Sequence, residues 1–231
     1  MDLLPETLAP PRDGEVHLWL LEPAAVSATL RATLAASLSP DEHARAARFH
    51  FERDRTLFIL GRGLVRRLLG SARAAPPASL VFEHGPHGKP LLRGEGPCFN
   101  VSHTEGMVAV ALSRHPVGVD VERFRRNLDL LAIAQQVFSA SERAALEQLQ
   151  DEARLAYFAR VWTLKEAIIK ATGEGMSAAL QQLTLDLSCP EQPRIASSSE
   201  PWRLASFTAS AGIWAAVATR TDAPLVLVRK A

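Results

Sequence analysis

Two carboxylates stand two residues apart in Gly118-Val119-Asp120-Val121-Glu122. The alternating valines mark a β-strand, in which successive side chains leave on opposite faces. Val117, Val119 and Val121 then point one way, and Gly118, Asp120 and Glu122 the other. Like charges side by side on one face repel each other unless a cation lies between them. Hard oxygen ligands of this kind suit Mg²⁺, which keeps several waters and takes further ligands from a substrate's phosphates. An edge strand with a solvated acidic face is the other reading of the same pattern.

A third acid comes from a helix. Leu155, Phe158, Trp162, Glu166 and Ile169 fall within one stripe at about 3.6 residues per turn. A carboxylate in an apolar stripe needs a metal, a cation or a cleft, because a buried charge without a partner is costly. Lys170 follows one turn later, and the two side chains read equally well as an ordinary i, i+4 ion pair.

Of 26 basic residues, four are lysines: Lys89, Lys165, Lys170 and Lys230. Three of these lie in candidate motifs, where a compact ammonium meets phosphate as a point charge. Ser102-His103 closes a strand, but adjacent strand residues face opposite sides, so a nucleophile–base pair is poor geometry there. No G-x-S-x-G elbow and no G-x-x-x-x-G-K-[ST] phosphate loop occurs. His103 reads as a phosphate ligand or as a structural histidine. Arg45, Arg48, Arg53, Arg55, Arg62, Arg66 and Arg67 make the first helices basic; most would be solvated or paired, leaving one or two to hold an anion.

Strands and helices that position these groups follow from pattern and punctuation. Val16–Leu21 reads as a strand, and Ser39-Pro40-Asp41-Glu42 as a capped helix start. A helix from Glu52 to Leu69 would stop at Gly70. Short strands are expected at Leu80–Phe82, Leu91–Leu92, Cys98–Ser102, Met107–Leu112 and Val117–Glu122. Helical pattern runs from Leu128 to Gln150 with a break near Ser139, then from Asp151 to Ala171, closed by Gly173. Strands return at Leu183–Leu187, Trp202–Thr208, Ile213–Thr219 and Leu225–Val228, and Ser188–Pro201 reads as a surface loop. Both halves therefore order helices, a glycine and strands. The chain is expected to be α+β, a duplicated unit divided near His115 into residues 1–115 and 116–231.

Composition narrows the function classes. The 231 residues are 47% hydrophobic and 22% charged, with a formal net charge of +1, so no whole-chain field draws in nucleic acid or a membrane surface. No apolar run approaches the roughly 18–20 residues that span a bilayer, and the N-terminus lacks the pattern of a secretory signal. Cys98 and Cys189 lie far apart with no metal-ligand spacing, which fits reduced thiols in a soluble, cytoplasmic, monomeric protein.

Together these motifs resemble the Sfp-type 4′-phosphopantetheinyl transferase family. Phe99-Asn100-Val101-Ser102-His103 resembles its strand ending in Ser-His, and Gly118-Val119-Asp120-Val121-Glu122 its Gly-[Val/Ile]-Asp-[Val/Ile]-Glu motif. Trp162-Thr163-Leu164-Lys165-Glu166-Ala167, followed by Lys170 and Gly173, resembles its W-[ST]-x-K-E-[AS]-x-x-K motif. The resemblance implies two similar α+β halves related by a pseudo-twofold, with coenzyme A between them and an acyl or peptidyl carrier protein as partner. It implies Asp120, Glu122 and Glu166 as Mg²⁺ ligands, and Glu166 and Lys170 as catalytic groups. Arg45, Arg62, Gly88, Lys89, Pro90, Ser102, His103 and Lys170 would contact the coenzyme, Arg45 and Arg62 at its 3′-phosphate. The chain departs from relatives in carrying Glu42 where they often have a basic residue. Phe138-Ser139-Ala140-Ser141-Glu142 also resembles a family segment, placing Glu142 near the metal. Arg123, Arg125 and Arg126 are expected either to meet an acidic carrier or to form a solvated loop. A coenzyme- or carrier-binding module with weak turnover is the alternative function, and another metal-dependent phosphoryl transferase a further one.

Overall fold

Ser39 and Ser139 each open a helix in the same way. The serine hydroxyl accepts the amide of the residue three positions on, and the glutamate there, Glu42 or Glu142, accepts the serine's own amide. The computed structural model describes residues 8–124, 128–174, 178–189, 191–196 and 198–230. In chain order it contains β1 (Glu15–Leu21), α1 (Ala28–Ala36), α2 (Pro40–Ala47), α3 (Glu52–Arg73), β2 (Phe82–His84), β3 (Pro90–Leu92), β4 (Cys98–Thr104), β5 (Met107–Ser113) and β6 (Val117–Arg123). There follow α4 (Leu130–Val137), α5 (Ala140–Glu147), α6 (Asp151–Thr172), β7 (Leu185–Asp186), β8 (Arg194–Ile195), β9 (Trp202–Ser210), β10 (Ile213–Arg220) and β11 (Val226–Lys230).

The strands form two principal sheets, one in the order β11-β1-β5-β4 and the other in the order β6-β10-β9, with two small hairpins, β2-β3 and β7-β8. Strict alternation along the strands splits the core into layers. Val108, Val110 and Leu112 of β5 meet Leu60, Leu64 and Leu68 of α3, while Met107, Ala109 and Ala111 turn to the other side. There they pack against Val117, Val119 and Val121 of β6 and Ile213, Ala215 and Val217 of β10. The opposite face of the second sheet is covered by α4, α5 and α6. The result is α+β, as expected: helices, sheet, sheet, helices.

Several expectations are corrected. α3 runs past Gly70 to Arg73 and is closed by Ala74 in the left-handed conformation, at φ 50°. Gly70 instead serves close packing, since a Cβ there would stand 2.8 Å from the Ala75 carbonyl oxygen. The segment read as a loop, Ser188–Pro201, contains β8, paired with β7 through Leu185 and Ile195. α6 is not a single-stripe helix: Phe158, Val161, Leu164, Lys165, Ala167 and Ile168 are buried around most of its circumference, because sheet and helices enclose it. α1 carries too little amphipathic contrast to announce itself in the sequence, yet Leu34 is fully buried.

Candidate active site

The two principal sheets meet along β4 and β6. Gly118 lets α6 approach there, since a Cβ at this position would collide with the Ala167 carbonyl and the Ala171 amide. One turn of α6 thereby comes within reach of the acids on β6. Lys170 Nζ donates to Asp120 Oδ1 at 2.5 Å and to Ser102 Oγ at 3.0 Å, and Ser102 Oγ lies 3.0 Å from Asp120 Oδ1. Asp120 is 1% exposed, and its second oxygen, Oδ2, is buried without a hydrogen-bond partner.

Glu122 and Glu166 complete the electrostatics. Burial, then the charge of Asp120, pushes the Glu122 carboxyl up to about 7, with Lys170 and a hydrogen bond from Thr104 acting against the rise and Glu166 adding to it. Burial also raises Glu166, opposed by Lys170 and reinforced by Asp120. Three acids and one ammonium thus form a coupled group with surplus negative charge. Among the described residues, no three Asp, Glu, His or Cys side chains are grouped closely enough to make a ready ligand set. Chemically the residues still fit a hard divalent cation: Asp120 has an orphaned oxygen, and the other two carboxylates are destabilised as anions by burial and by the Asp120 charge. His103, on the α3 side of β4, has its pKa lowered by desolvation and by the Lys170 charge.

Other expected residues sit further out. Lys89 reaches inward, donating to the Val117 carbonyl at 3.2 Å and the Ala171 carbonyl at 2.8 Å, and so pins the β2-β3 hairpin to β6 and α6. Together with Cys98, Phe99, Gly173 and Trp202 it lines a cleft of about 440 Å³. Gly88 occupies the hairpin turn at φ 82° with open space where a Cβ would be, and Pro90 opens β3. Arg62 is engaged by Glu42 at 3.2 Å and stacks over Phe82, while Arg45 lies over Phe58. Glu42 also holds Arg66. Glu42 therefore already neutralises part of the arginine cluster.

Two side chains are placed elsewhere than expected. Glu142, expected near the metal, is 2% exposed and pairs with Lys165 at 2.6 Å in the core beneath α5 and α6. Lys165 is for the same reason no phosphate ligand. Arg123 is exposed and donates to the Glu105 carbonyl; Arg125 and Arg126 lie outside the described residues. Sequence reasoning missed Asn100 and Thr104, since their alternation with Val101 and His103 along β4 does not say what the polar face meets.

A family model described as the 4′-phosphopantetheinyl transferase superfamily matches residues 116–218, and another described as 4′-phosphopantetheinyl transferase, N-terminal, matches residues 26–115. The chain is 36% identical over 209 residues to the 4′-phosphopantetheinyl transferase HetI of Nostoc sp., covering 88% of this chain and 87% of that one. The chain belongs to the 4′-phosphopantetheinyl transferase superfamily. A second family member, the 4′-phosphopantetheinyl transferase psf-1 of Bacillus pumilus, is 35% identical over 190 residues, covering 80% of each chain. The 4′-phosphopantetheinyl transferase Sfp of Bacillus subtilis is 28% identical over 151 residues, 65% of this chain and 66% of its own. In this family member the superfamily match of residues 116–218 contains Asp120, Glu122, Glu166 and Lys170.

Proposed function

We propose that the chain transfers the 4′-phosphopantetheine group of coenzyme A to a serine of an apo acyl or peptidyl carrier protein, releasing adenosine 3′,5′-bisphosphate. One observation carries the reading: in a 4′-phosphopantetheinyl transferase chain, Lys170 and Asp120 are joined at 2.5 Å beside Glu122 and Glu166. The serine oxygen forms a bond to the β-phosphorus of coenzyme A, and the bond from that phosphorus to the bridging oxygen breaks. The leaving group keeps the bridging oxygen and its electron pair.

Asp120, Glu122 and Glu166 are the side chains that would hold Mg²⁺. When bound, the ion supplies charge neutralisation for the diphosphate. Lys170, held in place by Asp120 and Ser102, stabilises negative charge on the transferring phosphate. Glu166, half-buried on α6 one turn before Lys170, accepts the proton of the carrier serine. His103 contacts a phosphate from the α3 side, and Lys89, with Gly88 and Pro90, frames the nucleotide. Arg45 and Arg62 remain the proposed 3′-phosphate contacts, with Arg62 shared with Glu42. The carrier, an acidic helical bundle, docks beside Arg123, and the two halves of the chain, 1–115 and 116–231, act as a monomeric unit around the coenzyme. Among the described residues no helix is long and apolar enough to cross a membrane.

The test incubates apo carrier proteins with coenzyme A and magnesium and follows the carrier's mass. A mass gain equal to one phosphopantetheine, abolished in Glu166→Gln and Asp120→Ala, supports the reading. Tight coenzyme binding with no mass gain on any carrier would convert it to a binding module.

A further inference from the structure

β6 directs the amides of Val119, Val121 and Arg123 towards β4, where a regular sheet would meet them with carbonyl oxygens. β4 meets them with side chains. Asn100 Oδ1 accepts from the Val119 amide at 2.9 Å, Ser102 Oγ from the Val121 amide at 3.3 Å, and Thr104 Oγ1 from the Arg123 amide at 3.2 Å. The other face of β4 sends Phe99 and Val101 into the core beneath α3.

A carbonyl oxygen can only accept, whereas a hydroxyl keeps one proton to give. Ser102 gives its proton to Asp120 Oδ1, and Thr104, accepting the Arg123 amide, stands at the same offset from Glu122 and keeps a proton to give. The offset is the same in both cases: each hydroxyl accepts the amide of the β6 residue that follows an acid. Asn100, whose carboxamide oxygen has no proton to give, stands where the preceding β6 residue is Gly118, which has no carboxylate. Ser102 Oγ also accepts from Lys170. Its one donor and two acceptor sites are then all used within the protein, and the residue is 6% exposed.

We propose that Ser102 and Thr104 are positioning residues, each fixing the orientation of one acid of the Asp120/Glu122 pair. Ser102 in this role is not a direct coenzyme contact, in contrast to what the family resemblance implies. The assignment rests on the reading that Asp120 and Glu122 hold a divalent cation. An outer hydrogen bond of this kind sets the direction in which a carboxylate presents its free oxygen, and its loss typically weakens metal affinity by about 10- to 100-fold.

Mn²⁺ alone, titrated into the full chain and followed by the electron paramagnetic resonance signal of the free ion, gives a readout independent of turnover. Ser102→Ala and Thr104→Val are expected to raise the Mn²⁺ dissociation constant about 10- to 100-fold. Both should lower kcat for carrier modification while the KM for coenzyme A stays near that of the unmodified chain. Ser102→Thr and Thr104→Ser should restore binding. Asn100→Ala, which removes a seam bond but serves no acid, should lower Tm and leave Mn²⁺ affinity unchanged. Thr104 lies partly exposed at the end of β4, so its variants decide the matter even where Ser102→Ala fails to fold. Unchanged Mn²⁺ affinity in Thr104→Val overturns the proposal, as does a rise in the coenzyme KM alone in Ser102→Ala. An unmodified chain that neither binds Mn²⁺ nor modifies any carrier removes the functional reading itself, and the positioning role with it. Normal transfer with indifferent hydroxyl variants removes the positioning role only.

Discussion

Lys165 Nζ and Glu142 Oε2 lie 2.6 Å apart, and neither side chain reaches solvent. Lys165 spends its remaining protons on the Val137 carbonyl at 3.0 Å and the Leu180 carbonyl at 2.8 Å. Glu142 accepts from the Ser139 and Leu185 amides at 2.7 and 2.9 Å. One pair thereby ties α4, α5, α6 and the segment leading into β7.

Breaking such a pair strands the surviving charge. Lys165→Met is expected to cost about 3–5 kcal/mol, read as a lower midpoint in urea unfolding. Activity per folded molecule should be retained. A variant of normal stability that no longer modifies carriers would return Lys165 to the phosphate site.

Gly118→Ala forces β6 away from α6, because the new methyl has backbone atoms of Ala167 and Ala171 in its way. Overpacking of this kind costs about 1–3 kcal/mol, and more where backbone must move. Transfer activity should fall by more than the loss of folded protein explains, since the shift separates Asp120 from Lys170. Thermal melts and kcat on the same preparation check both parts.

Lys170→Met leaves the carboxylate of Asp120 without its cation. Loss of a preorganised charge of this kind typically lowers kcat by about 100- to 1,000-fold. The variant should also lean harder on a divalent ion for stability, because whatever binds the folded state alone raises Tm by mass action. Added magnesium is expected to raise the variant's Tm more than that of the unmodified chain. An equal rise would argue against Asp120 as a ligand.

Asp13 supplies a pH-dependent clasp. Its Oδ1 sits 2.6 Å from His115 Nε2 and accepts from Thr221 at 3.1 Å, and these two bonds hold its carboxyl below the usual 3.8. The folded state therefore binds this proton less readily than the unfolded chain. Its contribution is present above that pH and is lost as pH falls through the depressed value. Asp13→Asn should be less stable than the unmodified chain at neutral pH, with the gap closing on acidification below about pH 4. Thermal melts across that range would show a constant gap if Asp13 made no such contribution.

Period-two alternation made the β6 acids legible, and Ser39 with Glu42 made the start of α2 legible, because these signals are local; Ser139 showed only as a break in the helical pattern. The i, i+4 relation of Glu166 and Lys170 could be read in the same way. The partner of Lys165 could not, since Glu142 is remote in sequence and the family resemblance placed it near the metal instead. The β4–β6 seam was hidden for a different reason: a side chain standing in for a backbone carbonyl has no sequence rule. Nor did Gly70 reveal that it serves a close approach of backbone rather than a helix end.

β11 runs parallel to β1 from the Glu15–Val226 register to Trp19–Lys230, while β1's other edge is taken by β5. A ribosome must therefore reach residue 226 before β1 can acquire this neighbour, and until then one margin of the first sheet stays open to strangers. Removing everything after residue 115 would leave that margin bare for good. The two parts of the chain on either side of that point are accordingly joined by β11 as well as by the covalent bond between them.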